Sequence, residues 1–273
     1  MKFYKDIVAE LDHAQKLSGK SDQPSPFHYH SWSTDSIKQF WTIWTTNGAL
    51  KTQFYPIVYW NDLLAWARLQ IPSTPSAIAD IGCGNGNLID CVLKVYPYSK
   101  ITGIDMSEES LFTARSRFEN FWNIGFQVGS LTQLPFPDGS LDLVTCTEVL
   151  EHSFPESFFG SFSEVRRVLR NGGYYLASVP LGEQASFVCC PECGSVFTPY
   201  QHMVFDIARA EVAELLSKNR LEVVAWYQAI DRTVPANPLK RVGKTLLISQ
   251  MPNLAKRLFP KPGVSGFLAR ARS

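Results

Sequence analysis

The rhythm of polar and apolar positions changes near residue 77. Before it, Phe3, Ile7, Leu11 and Ala14 recur at helical spacing and predict an amphipathic helix over residues 2–18. The Ser-, Gly- and Pro-rich stretch at 18–33 reads as a loop. Two more helices are expected at about 34–46 and 49–70, crowded with aromatic residues such as Trp41, Trp44, Tyr59, Trp60 and Trp66. Beyond residue 77, short apolar runs alternate with amphipathic segments. "AIADI", "KITGIDM", "IGFQVGS", "LDLVTCTEVL" and "YYLASVP" read as strands. Helices are expected over "NGNLIDCVLKVYP", "SEESLFTARSRFENF" (capped by Ser107) and "ESFFGSFSEVRRVLR", the last ended by Asn171-Gly172-Gly173. A helix over "FDIARAEVAELLSKNR" and strands over "LEVVAWYQA" and "GFLARAR" follow. Such alternation predicts an α/β fold with a doubly wound, mostly parallel sheet and right-handed crossovers.

Composition narrows the function classes. At 273 residues the chain can bury a substantial core, and 26 Lys+Arg against 25 Asp+Glu leave a net charge of +1, with no strong nucleic-acid signal. The charge is uneven: nine basic and no acidic residues lie between Arg232 and Ser273. Within it, residues 232–262 mix bases with Leu, Ile, Met and Phe, which fits a solvated cover over a pocket or peripheral contact with an anionic membrane. No uncharged apolar run approaches the roughly 20 residues that span a bilayer. Asp6, Glu10 and Asp12 are incompatible with a secretory leader. The six cysteines lack disulfide-framework spacing, so reduced thiols and a cytoplasmic location are expected.

The chemistry begins at "AIADIGCGNGNLID". A Gly-rich turn from a first strand into a first helix lies where an open α/β sheet binds ligands, and its bare N–H groups can face one. The spacing is G-x-G-x-G, with Asn87 where a dinucleotide fingerprint wants its third glycine, and no Gly-Lys-Ser/Thr follows, which excludes a P-loop. Asp105 closes the second strand, where a carboxylate can bind both hydroxyls of a ribose.

Four segments in order, "ADIGCGNGNL", "GIDMSEESL", "GSLTQLPFPDGSLDLVTCTEVLEH" and "RVLRNGGYYLASVP", resemble class I S-adenosylmethionine-dependent methyltransferases, in particular those of the ubiquinone-biosynthesis type. The resemblance covers 77–180 and, more loosely, 204–231 and 264–273. It implies a Rossmann-like, seven-stranded methyltransferase domain over 76–273 beneath an N-terminal helical cap over 1–75. The domain would carry a small cysteine-containing insertion at 181–203 and a basic cap insertion at 232–262. It also implies S-adenosylmethionine as cofactor, with Asp80 and the loop Gly82, Cys83, Gly84, Asn85 and Gly86 on its methionine end. Asp105 would take the ribose and Met106 the adenine. Ser130, followed by Leu131, stands where an Asp usually receives the adenine amino group. Thr147 and Glu148 would border the methyl group.

Methyl transfer needs near-linear alignment, which contributes on the order of 7–11 kcal/mol at best. An alcohol or phenol also needs a base, and His152 in "EVLEH" is the candidate, with Glu148 beside it. Transfer to oxygen of a small-molecule or lipid-linked acceptor is the expected activity. The E-x-x-E-H run is similar to one that binds metal in ubiquinone-biosynthesis and small-RNA methyltransferases, so Glu148, Glu151 and His152 are alternatively ligands for a divalent ion. An NAD-dependent oxidoreductase and an inactive cofactor-binding scaffold are the rival readings, the former opposed by Asn87. "CCPECG" supplies half of a zinc knuckle at Cys190 and Cys193, with Cys189 and His202 available to complete a structural zinc site. A competing use of His202 is in the active site. Neither the acceptor nor an oligomeric state follows from the sequence.

Overall fold

The computed structural model describes residues 1–17, 28–46, 57–228 and 264–273. Its centre is a seven-stranded sheet formed by β3 (Ala77–Ile81), β4 (Lys100–Asp105), β5 (Ile124–Val128), β6 (Leu141–Thr147), β7 (Leu169–Pro180), β11 (Leu221–Gln228) and β12 (Val264–Ala271). The spatial order is β11-β12-β7-β6-β3-β4-β5. The pairs from β5 to β7 are parallel; β12 runs antiparallel between β7 and β11. Chain order runs from β3 outward through β4 to β5, then returns to β6 on the other side. A crevice therefore opens at the carboxyl end of β3, the place where this architecture binds ligands.

Strand periodicity makes the two cores. Ala79, Ile81, Val144, Tyr175 and Ala177 face one side, under α6 (Pro155–Val168) and α7 (Arg209–Lys218), through Phe158, Phe162, Val165, Val212 and Leu216. Ile78, Ile101, Leu143, Leu176 and Leu268 face the other. There they meet Leu63 and Leu64 of α3 (Ile57–Arg68), Leu88, Ile89 and Val92 of α4 (Asn87–Val95), and Leu111 of α5 (Glu108–Arg117). Ser107 caps α5, its hydroxyl accepting from the N–H of Ser110.

Three expectations need adjustment. The first helix starts later: Lys2–Phe3 is strand β1, and α1 is Tyr4–Leu17. The helix α6 ends at Val168, because Leu169 is already extended; Asn171-Gly172-Gly173 lies inside β7 rather than capping the helix. There Leu141 pairs with Leu169 but Leu143 with Tyr174, so the intervening residues leave the ladder, helped by Gly172 at φ +81°. Of the helix expected over 49–70, Ile57–Arg68 is helical, and 49–56 lie outside the described residues. The basic stretch 232–262 is also outside them.

The N-terminal chain and the segment after β7 are woven together. β1 pairs with β10 (Val204–Phe205), and β2 (His28–Tyr29) pairs in parallel with β9 (Ser195–Phe197), the partner of β8 (Val188–Cys189). The Tyr4 hydroxyl reaches the carbonyls of both His30 and Val196, at 3.2 and 3.3 Å. Between β2 and α3 lies α2 (Thr34–Thr46), which packs against α5 over the crevice.

Candidate active site

A cavity of about 320 Å³ occupies that crevice. At one end the turn after β3 is shaped by two glycines. Gly82 at φ +69° and Gly84 at φ +52° are left-handed; a Cβ on Gly82 would lie 2.4 Å from Val149 Cγ2. The Gly84 N–H donates to Asp105 Oδ2 at 2.9 Å, and the Ser107 N–H to Oδ1 at 2.8 Å. Burial holds the Asp105 carboxyl above its ordinary value, and these backbone donors offset only part of the rise. Each oxygen keeps a second lone pair for a ligand hydroxyl.

Asp80 lies deeper, 2% exposed, its Oδ1 accepting from the Thr145 hydroxyl at 2.7 Å. Its Oδ2 is buried with no hydrogen-bond partner among the described residues. Burial raises its pKa to about 7; the Thr145 hydrogen bond opposes the rise, and negative Asp105 adds to it. A buried acceptor aimed into a cavity beside a glycine turn is suited to a cationic donor on a ligand, such as the amino group of a methionine. The donor set present therefore fits a nucleoside bearing an amino acid.

Asp80, Gly82, Cys83, Gly84, Asn85, Asp105, Met106, Ser130, Leu131 and Thr147 line the cavity together with Glu148 and His152. Gly86 does not line it. At φ +84° its missing Cβ makes room for Phe118, 2.5 Å from where that atom would stand, so this glycine serves the turn and its packing.

The same cavity is walled by Ile37, Trp41 and Trp44 of α2 with Trp60 and Phe154. Glu148 holds a strained φ of +56° directly after β6, and its Oε1 accepts from the Ser178 hydroxyl at 2.8 Å. The imidazole of His152 meets the Trp41 indole edge-on at a centroid separation of 4.4 Å. Its Nδ1 lies 3.4 Å from the Gln201 carbonyl and its Nε2 3.8 Å from Glu151 Oε1. Burial, and after it the neighbouring His202, hold the His152 pKa well below 6.5, so the ring is neutral at pH 7 and able to accept a proton.

His202 sits with this group and not with the cysteines. Its ring centroid is 4.9 Å from that of His152, and its Nδ1 is 2.6 Å from Glu183 Oε2. Among the described residues, Glu151, His152 and His202 are the one set of three metal-capable groups whose ligand atoms lie within 4.8 Å of one another. The expected zinc set of Cys189, Cys190, Cys193 and His202 therefore does not assemble. Glu183 and the Thr198 hydroxyl, which donates to the His202 carbonyl, hold that histidine beside His152. The cysteines stay on the β8–β9 hairpin, where Cys189 and Cys193 are exposed. The knuckle shape itself is present: the Gly194 N–H donates to the Cys190 carbonyl at 2.9 Å, and backbone donors of Cys193 and Glu192 lower the Cys190 pKa. Two thiols alone do not close a tetrahedral site.

Sequence reasoning missed Gln201 and the direct part of Trp41. Both act through tertiary contacts 49 and 160 residues apart, for which no motif exists.

Comparison with known proteins agrees with this geometry. Residues 78–173 match the family described as "Methyltransferase domain". A probable S-adenosylmethionine-dependent methyltransferase of Mycolicibacterium smegmatis is 31% identical over 167 residues, 60% of this chain and 60% of that protein. A fatty-acid O-methyltransferase of the same organism is 33% identical over 99 residues, 36% of this chain and 35% of the relative. The chain thus spans at most 60% of the length of these two relatives. The solved 1,6-didemethyltoxoflavin-N1-methyltransferase of Burkholderia thailandensis, which contains 1,6-didemethyltoxoflavin and S-adenosylhomocysteine, has a TM-score of 0.60 at 15% identity, over 93% of this chain and 94% of that one. That last likeness is one of fold. Residues 78–173 thus match a methyltransferase domain, and the fold around them is that of class I S-adenosylmethionine-dependent methyltransferases.

Proposed function

We propose that the protein transfers the methyl group of S-adenosylmethionine to an oxygen of a small-molecule or lipid-linked acceptor. One observation carries the reading: a single cavity is lined by the carboxylates Asp80 and Asp105 and also by the neutral imidazole of His152, among tryptophans. The cofactor supplies an electrophilic methyl group. The chain's own work is then to hold the amino group at Asp80 and the ribose hydroxyls at Asp105, and to exclude water with the walls of α2. His152 accepts the acceptor's hydroxyl proton as the oxygen–methyl bond forms and the methyl–sulfur bond breaks. Apolar walls favour an acceptor with an aromatic or aliphatic body. The relative named as a fatty-acid O-methyltransferase supports oxygen transfer. Residues 1–75 would form the cap over a catalytic domain at 76–273, and six cysteines outside any disulfide suit the cytoplasm. No described helix is long and apolar enough to cross a membrane.

The grouping of Glu151, His152 and His202 favours a second use of His152, as one of three ligands for a divalent cation that would help to hold the acceptor oxygen. The test of both is labelled methyl transfer from S-adenosylmethionine to cell extract, with and without a chelator, in wild type and His152→Ala. Loss of the labelled product in the variant supports the base. Loss on chelation, restored by added metal, supports the cation. Label on nitrogen or carbon only would refute the oxygen reading.

A further inference from the structure

Gln201 is fully buried and holds a left-handed φ of +56°, a conformation that costs a non-glycine residue of order 1–3 kcal/mol. Two of its four polar groups meet His152, and a third meets Trp41, which packs on the His152 ring. Its side-chain Oε1 accepts from the Trp41 indole N–H at 2.8 Å, and its Nε2 donates to the His152 carbonyl at 3.1 Å. Its own carbonyl stands 3.4 Å from His152 Nδ1, and its N–H donates to the Thr198 carbonyl at 3.1 Å. Trp41 in turn presses its ring against His152. The same helix, α2, touches the cofactor end: the Thr42 hydroxyl is 2.7 Å from that of Ser107, and the Thr45 hydroxyl 2.5 Å from that of Ser110.

We propose that Gln201 is the positioning residue of the acceptor end, clamping His152 between its carbonyl and Trp41 and so fixing the imidazole as the Nδ1–H tautomer with its lone pair on Nε2. The inference rests on the reading of His152 as the base, because a base must present a lone pair in a fixed direction. Its physical content does not depend on that reading. An amide spanning two elements, each of which closes on one ring, restrains the ring whether or not it takes a proton from an acceptor.

The acceptor is unidentified, so the test reads the imidazole itself. Ring-¹⁵N-labelled protein saturated with S-adenosylhomocysteine is titrated by NMR, and the His152 signals are assigned by their loss in His152→Ala. Wild type is expected to show one tautomer, Nδ1–H. In Gln201→Leu, which keeps the main-chain carbonyl but cuts the side-chain ties to Trp41 and to the His152 carbonyl, the Nδ1–H tautomer should give way to a mixture, with S-adenosylhomocysteine affinity within two-fold of wild type. Trp41→Phe, which removes only the indole donor, should move the same signals in the same direction, and it carries the test if Gln201→Leu does not fold. An Nε2–H tautomer in wild type, or an unchanged imidazole in both variants, would overturn the clamp. Unchanged methyl transfer in His152→Ala would instead sink the base and leave the clamp standing.

Discussion

Asp80→Asn should make the ligand-free protein more stable at alkaline pH while destroying its affinity for cofactor. The carboxyl of Asp80 has its pKa moved from 3.8 to about 7, chiefly by burial. The native state therefore holds this proton over a range where the unfolded chain has released it. Below about pH 4 both states are protonated and Asp80 contributes nothing to the pH dependence. As pH rises from about 4 to about 7, the unfolded state ionises alone and wild-type stability falls; above about 7 the full penalty, at most about 4 kcal/mol, is present. The amide introduced by the substitution cannot ionise, so the variant escapes this loss. Its oxygen can still accept from Thr145, but its NH₂ then occupies the partnerless Oδ2 position at a cost of about 1–3 kcal/mol. Net stabilisation of about 1–3 kcal/mol is expected at pH 8, changing to destabilisation of similar size at pH 4. Denaturant titrations of both proteins without ligand, from pH 4 to 9, measure it. In parallel, wild-type affinity for S-adenosylhomocysteine should rise up to ten-fold per pH unit toward about 7 and then level off, as ionised Asp80 receives the amino group; the variant should bind weakly with no such slope. A stability difference between the proteins that does not change with pH would refute the assignment of a buried, protonated Asp80.

Other outcomes follow from the same contacts. With S-adenosylmethionine saturating at every pH, so that protonation of Asp80 does not limit cofactor binding, methyl transfer should retain its rate at pH 6.5, because the depressed pKa keeps His152 neutral there; an acidic limb above 6.5 under saturation would contradict this. Gly82→Ala should cost about 1–2 kcal/mol for its left-handed φ plus a clash with Val149, and Val149→Ala should relieve only the second part in denaturant melts of the double variant. Thr145→Val removes the hydrogen bond that opposes protonation of Asp80, so the pH at which cofactor affinity levels off should move upward in calorimetric titrations. Metal analysis of protein purified in zinc should find less than one equivalent bound through Cys190 and Cys193, since a Cys190→Ser, Cys193→Ser variant should carry the same metal content as wild type.

The legible part of the protein is the part whose physics is local. β3, the glycine turn and α4 are contiguous, so the run from Ala77 to Val95 announces a strand, a backbone without side chains and a helix in reading order. Asp105 is legible because a strand end is a fixed distance along the chain. The acceptor end is not local. Trp41, His152, Gln201 and His202 come from α2, the turn after β6, and the segment after β7, which the pairing of β1 with β10 and β2 with β9 folds over the crevice. In sequence Trp41 was one of many aromatic residues, and His202 followed a C-x-x-C pair that drew it toward the wrong partners. Gly86 shows the opposite error: its place in a ligand-binding motif hides a packing requirement set by Phe118, 32 residues away in a different turn. Register did the same to Asn171-Gly172-Gly173, a good helix terminator that the neighbouring β6 ladder converts into a break within β7.

The most direct test is a calorimetric titration of S-adenosylhomocysteine into wild type and Asp105→Ala. One molecule should bind per wild-type chain. Loss of the charged acceptor that faces the ribose hydroxyls should weaken binding at least ten-fold, as a hydrogen bond to a charged group is worth about 1.5–3 kcal/mol. Absence of heat with folded wild type, or equal affinity in the two proteins, would mean that this cavity does not hold the nucleoside.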